Sequence, residues 1–194
     1  MRRPQDRILS LSAALEWRRA LRRDGRVLAV TNGCFDVLTP GHVQALEAAA
    51  AHGDALLVLL NSDASVRALK GTTRPIHDQT ARGMVLASLR SVAAVVVFDG
   101  ADCAAELAAL APDAYAKSTE YRGRQNPAEA AALAACGAEV VWLPRDPRYS
   151  TSGLVERMRA ADAAGGRLVV TPSGVCGEGE RAEALTTSQE EVER

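Results

Sequence analysis

The chain has 194 residues, a net charge of −1 and only 4% aromatic residues, with an isoelectric point near 6.3. These values exclude the basic surface that is typical of nucleic-acid binding, and no run approaches the roughly 20 apolar residues that span a bilayer. We therefore expect neither a nucleic-acid nor a membrane partner.

The basic start, MRRPQDRILS, lacks the apolar segment of a signal peptide. The four cysteines, Cys34, Cys103, Cys136 and Cys176, lack metal-finger spacing, which favours reduced thiols in a cytoplasmic protein.

Amphipathic and apolar stretches alternate along the chain. The amphipathic stretch at residues 8–22 predicts a helix, which Asp24-Gly25 would end. Short apolar runs predict buried strands at 27–30, 55–61, 93–98, 114–117 and 139–143. Further helices are predicted at 41–51, 63–69, 79–90, 103–111, 127–136 and roughly 152–162.

This alternation predicts an α/β fold. Strands made of continuous apolar runs indicate a parallel sheet covered on both faces, and right-handed crossovers make it Rossmann-like and doubly wound. We expect a five-stranded, mainly parallel sheet with helices on both faces, in one domain over residues 1–162 that includes the helix at 8–22. The polar residues 163–194 are expected to form a mobile or loosely docked tail.

Four polar loops follow strands of the predicted sheet, at 31–42, 61–74, 117–124 and 145–152. In a doubly wound sheet, ligands bind beyond the carboxyl ends of the strands, at the point where the strand order reverses. The four loops should therefore open on one edge of the sheet and together form one ligand site.

The residues from Thr39 to His42 (TPGH) predict the start of a helix at this edge. Thr39 is a good N-cap and Pro40 fits the first helical position. His42 would then lie in the first turn, beside backbone N–H groups that favour a phosphate. Further donors for a triphosphate are the side chains of Lys70, Arg74, Arg145, Ser150, Thr151 and Ser152.

More ordinary interpretations of these residues stay open. His42 and the hydroxyls at 150–152 could serve only as helix caps. Lys70 and Arg74 could lie on a solvated loop. A dinucleotide site has less support, because the glycines of the 31–42 loop do not form a G-x-G-x-x-G turn. The sequence also lacks a Walker A loop.

Two separated segments resemble the signatures of the nucleotidyltransferase superfamily. Residues 31–36 (TNGCFD) with Thr39-x-Gly41-His42 are similar to its G-x-F-D…(H/T)-x-G-H motif, and residues 145–152 (RDPRYSTS) are similar to its second motif, a hydroxyl-rich turn. The resemblance covers about residues 8–160. Further likeness, to the adenylyltransferase domain of the bacterial heptose-phosphate enzymes, lies at residues 61–66, at residues 69–75, and at Arg82, Val85 and Leu86.

The resemblance implies that a nucleoside monophosphate is transferred from ATP or CTP to a sugar phosphate, heptose 1-phosphate above all. Pyrophosphate would be released, and the triphosphate would carry Mg²⁺, with no metal ligands from the protein. The alternatives are a cytidylyltransferase for glycerol 3-phosphate or another polyol phosphate, and a nucleotide-binding module without turnover. The family likeness also implies a homodimer.

The same resemblance assigns roles to individual residues. The implied catalytic residues are His42, Lys70 and Arg145. Those implied to bind the nucleotide are Thr31, Asn32, Gly33, Cys34, Phe35, Thr39, Gly41, His42, Glu120, Arg145, Tyr149, Ser150, Thr151 and Ser152. Those implied to bind the acceptor are Asp36, Asn61, Asp63, Lys70, Arg74 and Lys117. The sequence departs from the pattern in three places: Thr39 replaces a histidine, residues 117–121 (KSTEY) replace Lys-Gly-Gly-Asp-Tyr, and Gly153 takes a place that often holds a basic or amide residue.

Overall fold

The computed structural model describes residues 3–144, 148–149 and 151–163. The chain divides into two compact units, Met1–Thr151 and Ser152–Arg194. The first unit holds a parallel sheet and the helices that cover it. The described part of the second unit is helical and belongs to the last helix, Thr151–Ala163. Apart from its first residue, the predicted tail at 163–194 lies outside the described residues.

The described residues of the first unit form one sheet whose strands all run parallel, in the order β1-β4-β3-β2-β5-β6. The strands are β1 (Ile8–Leu9), β2 (Leu28–Gly33), β3 (Ala55–Asn61), β4 (Ala94–Phe98), β5 (Ala114–Ser118) and β6 (Glu139–Leu143). The helices are α1 (Leu11–Arg23), α2 (Pro40–Ala50), α3 (Asp63–Lys70), α4 (Gln79–Ser88), α5 (Ala104–Leu110), α6 (Pro127–Cys136) and α7 (Thr151–Ala163). Short 3₁₀ turns lie at Pro4–Arg7 and Thr119–Tyr121.

The predicted α/β, doubly wound fold is confirmed, and the sheet has six strands rather than five. The extra strand corrects the expectation that residues 8–22 form one helix. The Ser10 hydroxyl accepts the N–H of Ala13 and so caps α1, which begins only at Leu11. Ile8 and Leu9 therefore stay extended and pair with Val95 and Val96 of β4.

The core has two layers, one on each face of the sheet. Alternate residues of β2 and β3 point to opposite faces, as expected for strands that are buried on both sides. One face packs Leu28 and Leu57 against α1, α5 and α6. The other packs Leu56 and Val58 against α2 and α4. None of the helices in the described part combines the length and apolarity needed to cross a bilayer.

The strand order reverses between β2 and β5, which are neighbours in the sheet although β3 and β4 come between them in the chain. The two strands pair at Ala29 and Val30. Beyond that pairing, the Thr31 hydroxyl donates to the Ala116 carbonyl at 2.9 Å. This reversal point, at the carboxyl ends of β2 and β5, is where a doubly wound sheet binds its ligand.

At the other end of the strands, a buried arginine joins the start of β2 to the helices that cover the sheet. Arg18 donates to the carbonyls of Leu110 and Ala111, at the end of α5, and to the Asp113 carboxylate at 2.9 Å. The other Asp113 oxygen accepts the Leu28 N–H at 2.7 Å, where β2 begins. One ion pair therefore joins α1, the end of α5 and the start of β2.

The charge of Asp113 should contribute to stability in a pH-dependent way. Partial burial would raise the pKa of Asp113, but hydrogen bonds from Arg18 and from the Leu28 N–H outweigh it, and the pKa is lowered. The ionised carboxylate then stabilises the fold above the unfolded-state pKa of about 3.9, and this contribution is lost as the pH falls through the lowered folded-state value.

We therefore expect Asp113→Asn to lower the free energy of unfolding at pH 7 by about 1 kcal/mol, because the carboxylate is partly solvent-screened. Urea unfolding over a series of pH values should show this difference shrinking as the pH falls below about 4. Glu47→Gln removes an exposed carboxylate and serves as the control. A difference that stays constant down to acid pH would contradict the assigned role of the charge.

Candidate functional site

The amino end of α2 holds an oriented imidazole. Thr39 is the N-cap and Pro40 takes the first helical position, as predicted. Thr39 and His42 form a capping box. The Thr39 N–H donates to Nδ1 of His42 at 3.0 Å, and the Thr39 hydroxyl lies 3.0 Å from the same nitrogen. The histidine ring thus satisfies the N–H of its own N-cap residue.

This hydrogen bond fixes the tautomer of His42. A backbone N–H is only a donor, so Nδ1 accepts, and in the neutral ring the proton must be on Nε2. The ring is also packed edge-on against Phe35, with 5.5 Å between centroids. Phe35 itself has a φ of 43°, an uncommon conformation for a bulky residue, and its ring covers Gly33. Phe35 thus connects the loop after β2 to the imidazole of His42.

Tyr149, from the second motif, lies against the same helix end. The Thr39 hydroxyl lies 3.4 Å from the Tyr149 carbonyl, which shares the single hydroxyl proton with Nδ1 of His42. A Cβ placed on Gly41 would lie 3.0 Å from Tyr149 Cβ and 3.1 Å from its carbonyl oxygen, so glycine allows this close approach. The expectation that the two motifs converge is met at this residue.

The structure describes the other residues of the second motif only in part. Arg145 and Ser150 lie outside the described residues, and Thr151 and Ser152 are described only as the backbone that begins α7. Their assignments as phosphate ligands stay predictions. Arg148 lies with its guanidinium 5.4 Å from the Tyr149 ring.

The buried Asp36 organises a second loop. Its Oδ1 accepts the N–H groups of Ile76 at 2.6 Å and His77 at 3.2 Å, and its Oδ2 lies 2.8 Å from Nε of Arg74. The Asp36 side chain is 1% exposed and that of Arg74 is 18% exposed. These two residues, both predicted to bind the acceptor, are therefore paired with each other.

Several charges surround the thiol of Cys34, in the loop after β2. Burial raises the pKa of Cys34, and the cations Lys70, Arg82 and Arg74 act against that effect. The negative charge of Asp36 acts with it. The thiol consequently stays protonated at neutral pH and is no nucleophile. Lys70 therefore acts electrostatically on this loop, and its assignment as a catalytic cation stays a prediction.

Two further predicted acceptor ligands, Asn61 and Asp63, are engaged at the end of β3. The Asn61 amide donates to the Ser65 hydroxyl at 2.9 Å. The Asp63 carboxylate pairs with Nη2 of Arg82 at 2.7 Å. Both side chains thus help to build the junction between β3 and α3.

A buried polar cluster lies directly at the strand-order reversal. Nζ of Lys117 donates to Asn32 Oδ1 at 2.8 Å, to the Tyr115 hydroxyl at 3.0 Å and to Glu129 Oε2 at 3.2 Å. An ammonium has three donors, so these three acceptors match its capacity. The Asn32 amide nitrogen in turn donates to Glu129 Oε1 and to Cys103 Sγ, both at 3.2 Å.

The neutral members of this cluster stay protonated. Burial raises the pKa of Tyr115 and of Cys103, and the nearby Glu129 adds to both shifts. Cys103 therefore donates to the Glu129 carboxylate at 3.2 Å. The Tyr115 hydroxyl donates to Asn32 Oδ1 at 2.8 Å and lies 3.3 Å from Glu129 Oε2. The side chains predicted to contact ligands, those of Asn32 and Lys117, are held inside the sheet by these bonds.

The loop after β5 carries Glu120 and Tyr121 on a 3₁₀ turn. The Tyr121 ring lies 5.1 Å from Nζ of Lys117 and is 49% exposed. Glu120 is exposed at the same edge of the sheet, and its contact with the nucleotide stays a prediction. Within the described ranges, no three His, Cys, Asp or Glu side chains lie close enough together to hold a metal.

Comparison with known proteins decides the family. Residues 30–157 match the family described as Cytidylyltransferase-like. The chain belongs to this cytidylyltransferase-like family. The match covers both motifs and confirms the prediction of a nucleotidyltransferase-type enzyme.

Individual members of the cytidylyltransferase-like family refine the comparison. The chain is 42% identical over 156 residues to the bifunctional protein HldE of Rhodopseudomonas palustris (strain HaA2), covering 80% of this chain and 32% of that protein. It is 47% identical over 121 residues to HldE of Wolinella succinogenes, covering 62% and 26%. The chain thus spans about a third of the length of the curated relatives it matches.

The fold is shared with a solved structure. The lipopolysaccharide core biosynthesis protein from Thermoplasma volcanium GSS1 superposes with a TM-score of 0.51 at 24% identity. The superposition covers 63% of this chain and 98% of that one. At this identity the likeness concerns the fold alone.

Within this family site, Arg82 is the residue whose role the sequence analysis missed. Its side chain is fully buried and lies on the buried stripe of α4 together with Gly83, Leu86 and Ala87. A charged residue on the apolar stripe of an amphipathic helix was the available signal, because an arginine is almost never fully buried unless its donors are satisfied.

The tautomer of His42 can be measured directly. We expect long-range ¹H–¹⁵N spectra at neutral pH to show a protonated Nε2 and an unprotonated Nδ1, since Nδ1 accepts the Thr39 N–H. The chain has three histidines, so a spectrum of His42→Gln assigns the signal. A protonated Nδ1 in the neutral ring would contradict this geometry.

The approach of Tyr149 to Gly41 gives a second prediction. Gly41→Ala adds a Cβ at 3.0 to 3.1 Å from Tyr149 atoms, so the Tyr149 backbone must shift. We expect kcat/KM for nucleotidyl transfer, measured by pyrophosphate release, to fall about tenfold from this displacement. The melting temperature should be nearly unchanged.

The matched control is Gly83→Ala in α4, where the atoms nearest to the new Cβ belong to the side chains of Ile8 and Leu60, at 3.4 Å and beyond. It should keep normal kinetics. Wild-type kinetics for Gly41→Ala would mean that the position of Tyr149 does not matter for turnover.

Proposed function

We propose that this protein transfers the nucleoside monophosphate of ATP to the phosphate of a sugar phosphate, with heptose 1-phosphate as the acceptor, and releases pyrophosphate. Family membership and the similarity to the HldE relatives support the reaction class. The observation that carries the proposal is the convergence of Tyr149 and the Thr39–His42 turn at the carboxyl edge of the sheet.

The reaction needs positioning and charge stabilisation rather than a covalent enzyme intermediate. A phosphate oxygen of the acceptor attacks the α-phosphorus in line, and the bond from that phosphorus to the bridging oxygen of pyrophosphate breaks as the new bond forms. The protein's task is to hold both phosphates and to stabilise the negative charge that spreads over the transferred group.

His42 is proposed to supply the central donor. Because its Nδ1 accepts the Thr39 N–H, its Nε2–H serves as the donor to a phosphate oxygen. The amino end of α2 adds backbone N–H groups and the positive end of the helix dipole. Donors that are fixed before the reaction need no reorganisation when charge develops, and losing one typically costs about 2.7–4 kcal/mol of barrier.

Lys70 and Arg145 are proposed as the cations that neutralise the triphosphate. The carboxylates of the loop after β2 and the start of α3 offer little for a resident metal, since Asp36 and Asp63 already pair with Arg74 and Arg82. Mg²⁺ is therefore proposed to arrive with the nucleotide, as MgATP, and to be part of the substrate.

The same proposal includes the oligomeric state and the cellular compartment. Family likeness supports a homodimer. The thiols of Cys34, Cys103 and Cys136 are unpaired, which fits a reducing compartment such as the cytoplasm. Light scattering of the purified protein would test the homodimer.

A pyrophosphate-release assay tests the activity. Purified protein with Mg²⁺ is given ATP or CTP in combination with heptose 1-phosphate, other sugar 1-phosphates and glycerol 3-phosphate. We expect the highest rate with ATP and heptose 1-phosphate. His42→Ala should keep the fold and lower kcat by about 10²–10³-fold, the usual loss for one preorganised donor.

The other outcomes separate the alternatives. The highest rate with CTP and glycerol 3-phosphate would mean a polyol-phosphate cytidylyltransferase. ATP binding without pyrophosphate release on any acceptor would mean a binding module, and in that case His42→Ala would leave binding intact. Either result would overturn the proposed reaction.

A further inference from the structure

Arg82 is a fully buried cation that joins three chain segments to α4. Its side chain has 0% exposure. Nε donates to the His77 carbonyl at 3.0 Å, Nη1 donates to the carbonyls of Cys34 at 2.6 Å and Asn61 at 2.8 Å, and Nη2 pairs with Asp63 at 2.7 Å. Such a charge is costly to bury, and only this full set of acceptors compensates for its lost hydration.

The four acceptors come from the segments that border the candidate site. Cys34 lies in the loop after β2, which also contains Phe35 and Asp36. Asn61 ends β3 and Asp63 begins α3, the helix that carries Lys70 at its other end. His77 follows directly on the segment with Arg74. One guanidinium therefore holds the nucleotide-side loop and the acceptor-side segments together.

The segment 74–77 is held from two sides. Arg82 binds the carbonyl of His77. Asp36 binds the N–H groups of Ile76 and His77 and the side chain of Arg74. Because Asp36 and Cys34 belong to the same loop, the two anchors fix segment 74–77 to the loop after β2.

We propose that Arg82 is a positioning residue of the reaction: it sets the distance between the nucleotide loop at 33–36 and the acceptor-side segments at 63–77. This role rests on the proposed function. Arg82 touches no reacting atom. It acts by holding Cys34 on one side, and Asp63 and His77 on the other, so that Lys70 and the phosphates of both substrates meet in one geometry.

The shape of the guanidinium is what the site requires. A planar fork sends donors in several fixed directions, whereas an ammonium is a point charge on a flexible stem. Lysine at this position keeps the charge and loses some of the four contacts. We therefore expect Arg82→Lys to fold and to bring the two loops together imprecisely.

Arg7 offers a matched control within the same protein. Its Nη1 donates to the carbonyls of Ala87, Leu89 and Val92 at 3.1 to 3.4 Å. Arg7 thus anchors the last turn of α4 and the start of β4, while Arg82 lies near the first turn. Arg7→Lys removes a comparable set of carbonyl contacts at the edge of the sheet opposite the site.

The kinetic experiment compares Arg82→Lys, Asp63→Asn and Arg7→Lys with the wild type on the full chain. For Arg82→Lys we expect kcat/KM for the acceptor to fall about 10²-fold, since small misplacements of reacting groups have effects of this size. Asp63→Asn removes one of the four anchors and should give a smaller fall of the same kind. Arg7→Lys should lower the melting temperature and leave both kinetic constants unchanged.

Hydrogen exchange provides a readout that does not depend on activity. In the wild type the N–H groups of Ile76 and His77 are bonded to Asp36 and should exchange slowly. In Arg82→Lys, peptides covering 33–37 and 71–78 should exchange at least tenfold faster, while the rest of the sheet keeps its protection. Arg7→Lys should leave both peptides unchanged.

The outcomes separate this proposal from the proposed function. If no substrate pair is turned over, the proposed function fails, and faster exchange confined to the two peptides still supports the role of Arg82 in fixing the loops. If turnover is found and Arg82→Lys keeps wild-type kinetics and exchange, the positioning role is overturned. Uniformly faster exchange in Arg82→Lys would also overturn it, because it would indicate general destabilisation.

Discussion

One hydrogen bond determines which donors the amino end of α2, the helix between β2 and β3, offers a ligand. The Thr39 N–H is one of the backbone donors that a helix start leaves without a partner inside the helix. Here Nδ1 of His42 accepts it, which fixes the ring, its tautomer and the direction of its second nitrogen. The other contacts at this end surround the same turn, since Phe35 packs on the ring and Tyr149 approaches where Gly41 leaves room.

Buried cations recur in this fold, and each one ties chain ends together. Arg18 binds the end of α5, Lys117 sits in the polar cluster at the reversal of strand order, and Arg82 joins the loops beyond β2 and β3. For Lys117 and Arg82, protein oxygens replace the hydration that the cation loses. A parallel sheet places many loop ends at its edges, and these residues fix those ends in relation to one another.

Local features of the sequence were the predictable ones. The apolar strands, the N-cap at Thr39 and the first helical position at Pro40 depend on residues a few positions apart, and the structure confirms them. Phosphate binding at this helix start stays a prediction. The start of α1 also had a local signal, the cap at Ser10, which the apolar character of Ile8 and Leu9 obscured. The broad location of the site followed from the topological rule for doubly wound sheets.

The partners within the site could not be predicted, because they are distant in sequence. Asp36 meets Ile76 across 40 residues, and Asn32 meets Glu129 across 97. The family resemblance assigned Asp36, Asn32 and Lys117 to ligand binding. Whether each faces the ligand or a neighbouring side chain depends on tertiary contacts that no local pattern records.

The two-residue strand β1 has a consequence for how the molecule behaves at high concentration. It pairs with Val95 and Val96, so the apolar strand β4 is not the outer strand of the sheet. Exposed, flat and apolar edge strands recruit strands from other molecules, and very short edge strands are one way to prevent this. A chain shortened to begin at Leu11 would leave one side of β4 unpaired and should be prone to aggregation.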